Sequence, residues 1–117
     1  MAEDDLNPPL AEIKSELFKA LAHPARVRAL EVLSDAPRSV GDLQPLVGIE
    51  SSHLSHQLAV LRRAGLVSKR KDGSSVIYSL ADPLVAELLA VARRLLLVTL
   101  APTGELIADL TAEVGES

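Results

Sequence analysis

The sequence contains no cysteine and no tryptophan, and its 117 residues include one phenylalanine and one tyrosine. Without thiols the chain has no disulfide framework, no thiolate metal site and no cysteine nucleophile. With so few aromatic rings it also lacks the stacking platforms that bind single-stranded nucleic acid. The longest apolar run, residues 95–101, is much shorter than the roughly 20 residues of a membrane-spanning helix. We therefore expect no membrane partner.

The N-terminal segment, residues 1–9, is acidic and contains two prolines. A signal peptide would instead begin with basic residues followed by an apolar run. We therefore expect a cytoplasmic protein with an acidic N-terminal tail. The length corresponds to one domain, residues 1–117, and a chain of this size buries about two-thirds of its surface on folding, which is enough for a core without disulfides.

Charge is distributed unevenly along the chain, whose formal net charge is −4. We call residues 51–71 the basic segment, because they contain no acid but carry the following cations beside His53 and His56: Arg62, Arg63, Lys69, Arg70 and Lys71. A local basic surface on an acidic protein is typical of a patch that faces phosphates. A solvated charged face is the alternative interpretation.

The apolar spacing and the helix-capping residues predict four helices in the first half of the chain. The first spans residues 10–22, and the second begins at Pro24. Ser39 is a suitable N-cap for a short third helix. The fourth spans residues 51–64 and is closed by Gly65 in a left-handed conformation, with Leu54, Leu58 and Leu61 facing the core.

After the fourth helix the pattern changes to that of a β-hairpin over residues 66–80, with Asp72 and Gly73 as its two-residue turn. A long helix over 83–101 follows, and residues 102–117 form a C-terminal extension. Because this helix is apolar on more than one face, its second face needs a partner.

Two short helices over residues 39–64 and a basic hairpin together predict a winged helix-turn-helix, a mainly α fold with a small β-hairpin (α+β). The sequence here resembles the ArsR/SmtB family of bacterial repressors, from Leu17 to Leu97. The motifs that carry the resemblance are LFKALAHPARVRALEVL, LSHQLAVLRRAGLV and RKDGSSVIYSL. It implies a homodimer, formed by the N- and C-terminal helices, that binds an inverted-repeat operator in double-stranded DNA and blocks transcription.

Under this interpretation the fourth helix enters the major groove and the hairpin lies against the neighbouring backbone. Gln57 could offer a bidentate amide to adenine or could bind a phosphate. The predicted DNA contacts are Ser51, Ser52, His53, Ser55, His56, Gln57, Arg62, Arg63, Lys69, Arg70, Lys71 and Ser74.

The predicted dimer seam consists of apolar residues that their own domain leaves uncovered on the first and last helices. An intramolecular core made by the same residues is the alternative. The seam residues are Leu10, Ile13, Leu17, Leu84, Leu88, Val91, Leu95 and Val98.

The metal ligands known from the resembled family are largely missing, although Asp82, one ligand of a second family site, is present. Ser39 and Gly41 stand where metal-sensing members have a Cys-x-Cys pair, and no histidine follows His56. We therefore predict no metal, no cofactor and a signal other than thiolate-bound metal: a small molecule, a partner protein or the protein's own concentration. His23 is expected to cap or pack a helix rather than to sense a ligand.

Two other function classes remain. A winged-helix module that docks on proteins without specific DNA binding is the alternative, and neutralising the basic segment would then leave partner binding intact. Enzyme function is not expected, because the sequence shows no acid-base or nucleophilic constellation and no glycine-rich phosphate loop.

Overall fold

A computed structural model describes residues 8–100 of the chain. Five helices and a small antiparallel sheet, whose strand order is β1-β3-β2, make up this part. The elements are α1 Pro8–Leu21, α2 Pro24–Asp35, β1 Arg38–Ser39, α3 Val40–Val47, α4 Ser51–Arg63, β2 Val67–Asp72, β3 Ser75–Leu80 and α5 Pro83–Thr99. The first seven residues of the predicted tail and the predicted extension 102–117 lie outside the described residues.

Side-chain caps fix where three helices begin, because each cap satisfies an N–H group that the first turn leaves without an intrahelical partner. The predicted roles of His23 and Ser39 are confirmed. The cap bonds are His23 Nδ1 accepting from the Ala25 N–H at 3.1 Å, Ser39 Oγ from Asp42 at 3.2 Å and Asp82 Oδ1 from Leu84 at 2.8 Å.

The core forms where α2, α3 and α4 meet, and Tyr78 from β3 and Val85 from α5 close it. The predicted buried stripe of α4 is confirmed. Its three leucines are among the side chains that are completely buried: Leu30, Leu43, Leu54, Leu58 and Leu61. Burial of a leucine contributes about 1.5–3 kcal/mol, so the inner face of α4 is held firmly and its outer face stays free.

A Schellman motif ends α4 and turns the chain into the hairpin. Gly65 has φ +79°, as predicted for the left-handed cap position. Its N–H donates to the Arg62 carbonyl at 3.0 Å, and the Leu66 N–H donates to the Leu61 carbonyl at 3.0 Å. These bonds satisfy the last carbonyls of α4 and fix the point where the hairpin leaves the helix.

The predicted turn of the hairpin is wrong by one residue. Asp72 pairs with Ser75, so the two-residue loop is Gly73 and Ser74 instead of Asp72 and Gly73. Gly73 has φ +65°, and every positive φ within residues 8–100 belongs to a glycine. A glycine at the first loop position followed by a residue of negative φ is typical of a type II′ turn, which matches the twist of the two strands.

The sheet has a third strand that the sequence pattern did not predict. Arg38 and Ser39 of β1 pair with Tyr78 and Ile77 of β3. A two-residue strand is too short to show the alternation by which strands are identified. The pairing joins the connection between α2 and α3 to the hairpin, so the wing is anchored on the helical domain.

Candidate nucleic-acid interface

The outer face of α4 is a surface of short polar side chains. Thirteen residues at 1.5 Å each give a helix about 20 Å long. An α-helix with its side chains is about 10–12 Å in diameter, which fits the roughly 12 Å wide major groove of B-DNA. The helix begins after Glu50, which makes no side-chain cap bond. The exposed residues of its first half are Ser51, Ser52, His53, Ser55 and His56. This part of the predicted contact set therefore lies together on one accessible surface.

Gln57 does not belong to that surface, which corrects its predicted contact with bases or phosphates. It is only 6% exposed, and its Nε2 donates to His53 Nε2 at 2.9 Å. An amide nitrogen has no lone pair available to accept, so the ring nitrogen is the acceptor. In the neutral ring the His53 proton is then on Nδ1. Gln57 thus orients His53 instead of reading DNA.

His53 is also supported by His23, which caps α2. The two rings meet edge to face, with centroids 5.9 Å apart and an interplanar angle of 84°. The sequence pattern did not predict this cluster. The signal available was the spacing of Gln57, which is four residues after His53 and three after Leu54, and therefore beside the buried stripe of α4. His53 is consequently the best-fixed polar side chain of the outer face.

The cations of the basic segment are exposed and available. Arg62 and Arg63 end α4, and Lys69, Arg70 and Lys71 follow one another on β2. All five side chains are exposed, and none forms a salt bridge with another residue of the described range 8–100. Their charge is therefore free to attract phosphates.

The hairpin does not present its cations on one face. Lys69 lies opposite Tyr78 and Lys71 opposite Val76, whereas Arg70 lies opposite Ile77. Directly paired residues share a face of the sheet and successive residues alternate. Lys69 and Lys71 therefore point to one side and Arg70 to the other, while Ser74 is exposed in the turn. A single docking orientation cannot use all three cations equally.

The predicted seam residues lie on two surfaces, α1 and α5. Leu17 and Leu88 are half-buried, and Leu17 packs against the core of its own chain. The other six are exposed, including Ile13 at 65% and Val98 at 77%. Phe18 on α1, which the prediction omitted, is 60% exposed. Both helices thus carry apolar side chains that their own domain leaves uncovered.

Comparison with known proteins identifies the family of this fold. The family described as bacterial regulatory protein, ArsR family, matches residues 23–69. The HTH-type transcriptional regulator Rv0081 of Mycobacterium tuberculosis is 55% identical over 105 residues, which cover 89% of this chain and 92% of that protein. The chain belongs to the ArsR family. It is a DNA-binding transcription regulator with the winged helix-turn-helix fold, as the sequence predicted, and its relatives are regulators rather than enzymes.

Three solved structures superpose on this chain. The crystal structure of M. tuberculosis Rv0081 has a TM-score of 0.77 at 57% identity and covers 82% of this chain and 97% of that chain. The transcriptional repressor BigR of Xylella fastidiosa has a TM-score of 0.71 at 32% identity, with coverages of 81% and 96%. A homodimeric winged helix-turn-helix DNA-binding domain, Mb0332 of Mycobacterium bovis, has a TM-score of 0.69 at 29% identity and covers 74% of this chain and 81% of that chain.

Neither of the two positions at which the resemblance places thiolate ligands, Ser39 and Gly41, carries a thiol. Ser39 caps α3 through its hydroxyl, and Gly41 has no side chain to offer. Across residues 8–100, no three His, Cys, Asp or Glu side chains come close enough together to hold a metal ion. None of the helices in the same range is long and apolar enough to cross a membrane.

Proposed function

We propose that the protein is a cytoplasmic, homodimeric repressor that binds an inverted-repeat operator through α4 and the hairpin. One observation carries the proposal: α4 is fixed from inside by three completely buried leucines and presents an outer face of short polar groups, beside five cations that form no salt bridge with any described residue. Short side chains let a helix approach base edges closely, and the cations supply affinity for the phosphates.

Base contacts fall to the outer face of α4. We assign Ser52, His53, Ser55 and His56 to base edges and the nearby phosphates, with the His53 Nδ1–H as a donor to an acceptor such as guanine N7 or O6. The Ser51 N–H has no carbonyl acceptor within α4. The hydrogen bonds of this helix begin only with the Leu54 N–H, which donates to the Glu50 carbonyl. Such N–H groups at a helix start bind phosphates well.

Phosphate contacts fall to the cations, which add affinity without regard to sequence. At the end of α4 these are Arg62 and Arg63, and on the hairpin they are Lys69, Arg70 and Lys71, with the Ser74 hydroxyl at its tip. Since the hairpin cations occupy opposite faces, we assign the strong contacts to one face only.

The homodimer is proposed from the exposed apolar surfaces of α1 and α5, which a second copy would cover. Mb0332 is described as homodimeric, and its domain superposes on this one with a TM-score of 0.69. The seam residues are those predicted from the sequence, with Phe18 added. A two-fold dimer would place its two α4 helices in successive major grooves about 34–36 Å apart, as an inverted repeat requires.

The signal is proposed to be something other than thiolate-bound metal: a small molecule, a partner protein or the concentration of the protein itself. The chain has no cysteine, so the most selective ligands for soft metals are absent. Repression is proposed by analogy with BigR, which is described as a transcriptional repressor and shares 32% identity with this chain.

The test is a titration of the full chain against DNA from the region upstream of its own gene, with unrelated DNA of equal length as the control. We expect specific binding at least about a thousandfold tighter than non-specific binding at the same salt concentration. Should a genome-wide selection of bound fragments also return no sequence that is bound more tightly than unrelated DNA, the proposal fails and docking on a protein takes its place.

A further inference from the structure

A cavity of about 600 Å³ lies between α1, α2 and the end of α4. Its apolar walls come from two of these helices: Ile13, Leu17 and Ala20 on α1, and Val60 and Ala64 at the end of α4. This volume is within the range of sites that hold small organic molecules, about 300–1,000 Å³. The cavity lies at the opposite end of α4 from His53. It shares Arg63 with the proposed phosphate contacts, and Ile13 and Leu17 with the proposed dimer seam.

The charged lining of this cavity is cationic. Lys19 Nζ and Glu16 Oε1 are 3.0 Å apart and neutralise each other. Two guanidinium groups remain, those of Arg26 and Arg63. Neither forms a salt bridge with another residue of the chain between Pro8 and Leu100. A cavity with apolar walls and two unpaired guanidinium groups is complementary to a small molecule that is apolar at one end and anionic at the other.

Arg26 supplies the most specific signal. Its Nε is buried and has no hydrogen-bond partner among the described residues. Buried donors are almost always paired in folded proteins, and Arg38 Nε is the other unpaired side-chain donor of this kind in the described part of the chain. Of these two arginines only Arg26 lines the cavity, so a ligand held there would meet its guanidinium group. A carboxylate is the group whose geometry matches the fork of N–H donors on a guanidinium.

We infer that this cavity binds a small organic anion: a carboxylate, paired with Arg26 and Arg63, on a short hydrocarbon or aromatic body that packs against Ile13, Leu17 and Val60. The binding itself does not depend on the protein's activity. Its regulatory consequence rests on the proposed function, because the ligand would connect a helix of the proposed dimer seam with the end of the proposed DNA-reading helix.

The regulatory consequence has a direction. Arg63 is exposed and is assigned both to a DNA phosphate and to the cavity. A carboxylate bound in the cavity competes with the phosphate for the Arg63 guanidinium and adds a negative charge near the backbone of the DNA. Binding of the anion is therefore expected to weaken DNA binding, as an inducer does for a repressor.

Binding is tested by NMR titration of the full-length, ¹⁵N-labelled chain with benzoate and hexanoate, and with benzamide as the neutral analogue of benzoate. We expect benzoate or hexanoate to shift the amide signals around residues 13–20 and 60–64 saturably, with a Kd of about 1 mM or tighter. Benzamide should bind at least about tenfold more weakly. The inference is wrong if neither carboxylate gives saturable shifts up to about 20 mM, or if benzamide binds as well as benzoate.

Variants assign the site. Arg26→Gln should weaken carboxylate binding at least about tenfold, and Arg63→Gln, an exposed position whose substitution leaves the core intact, should weaken it as well. Arg70→Gln removes the same charge from the hairpin and is the matched control, for which no change is expected. Equal losses in Arg63→Gln and Arg70→Gln would overturn the assignment, since general electrostatic attraction would then explain the binding.

A second measurement separates the site from its regulatory consequence. Benzoate at about ten times its Kd should weaken the binding of the wild-type protein to DNA about threefold or more, and should leave Arg26→Gln unaffected. Saturable benzoate binding with unchanged DNA affinity would retain the site and refute the regulation. The NMR result stands whether or not an operator is found, so failure of the proposed function is recognised independently.

Discussion

The apolar surface of α5 leads to a prediction that requires no knowledge of the operator. Leu95 is 63% exposed, and complete burial of a leucine is worth about 1.5–3 kcal/mol. Covering the exposed part in the proposed homodimer therefore contributes roughly 1–2 kcal/mol per copy. Because two copies meet, Leu95→Ala should weaken the dimer by about 2–4 kcal/mol, which raises the dissociation constant about 30- to 700-fold.

Sedimentation equilibrium over a range of protein concentrations measures that constant. The matched control is Leu46→Ala on α3, since Leu46 is also exposed but lies outside the seam; this variant should dimerise like the wild type. Leu95→Glu should abolish the dimer, because a buried carboxylate without a partner is strongly destabilising. An unchanged dissociation constant for Leu95→Ala, or equal changes in the two alanine variants, would refute the assignment of the seam to α5.

Three further predictions concern α4 and the hairpin. Lys71 and Arg70 lie on opposite faces of the hairpin, so only one of the variants Lys71→Ala and Arg70→Ala should lose a phosphate contact. That variant should flatten the slope of log affinity against log salt concentration by about 1.8 per dimer, about 0.9 for each lost contact, and the other should leave the slope unchanged. Equal flattening in both variants would contradict docking by one face. Gln57→Leu removes the side chain that hydrogen-bonds to His53. Anisotropy titrations should then show binding to operator DNA weakened about 5- to 100-fold, with binding to unrelated DNA unchanged. Equal losses on operator and unrelated DNA would argue against an orienting role for Gln57. Leu58→Ala should lower the free energy of unfolding by about 2–5 kcal/mol in urea denaturation, and a loss below about 1 kcal/mol would not fit its complete burial.

The parts of the fold that the sequence predicted are those determined by local chemistry. Ser39 caps α3 because a short polar side chain can reach the N–H groups of its own first turn. The stripe of Leu54, Leu58 and Leu61 follows from helical spacing alone.

The parts that were missed depend on contacts between distant segments. The strand β1 exists because Arg38 and Ser39 pair with β3, nearly forty residues further along the chain. The hairpin turn shifted by one residue because Asp72-Gly73 and Gly73-Ser74 are both good turn sequences, so that local preference cannot choose between them. The observed register pairs Val67 with Leu80 and leaves Gly73 first in the loop.

The candidate site divides in the same way. The exposure of the serines of α4 and of the cations of the basic segment could be predicted from the helical stripe and the charge distribution. The burial of Gln57 could not, because it depends on how the rest of the domain covers that side of α4. The cavity beside Arg26 could not be predicted at all. It depends on how α1 and α2 are placed relative to the end of α4, which no periodicity encodes.

The two faces of α4 have a consequence for how operator preference can diverge among relatives of this protein. Ser52, Ser55 and His56 form no side-chain hydrogen bond within residues 8–100, so a substitution there alters DNA readout at little loss of stability. His53 is different, because it is tied to Gln57 through the 2.9 Å bond. We expect relatives to vary freely at the first three positions and to exchange His53 and Gln57 together, so that this pair marks subgroups that share an operator.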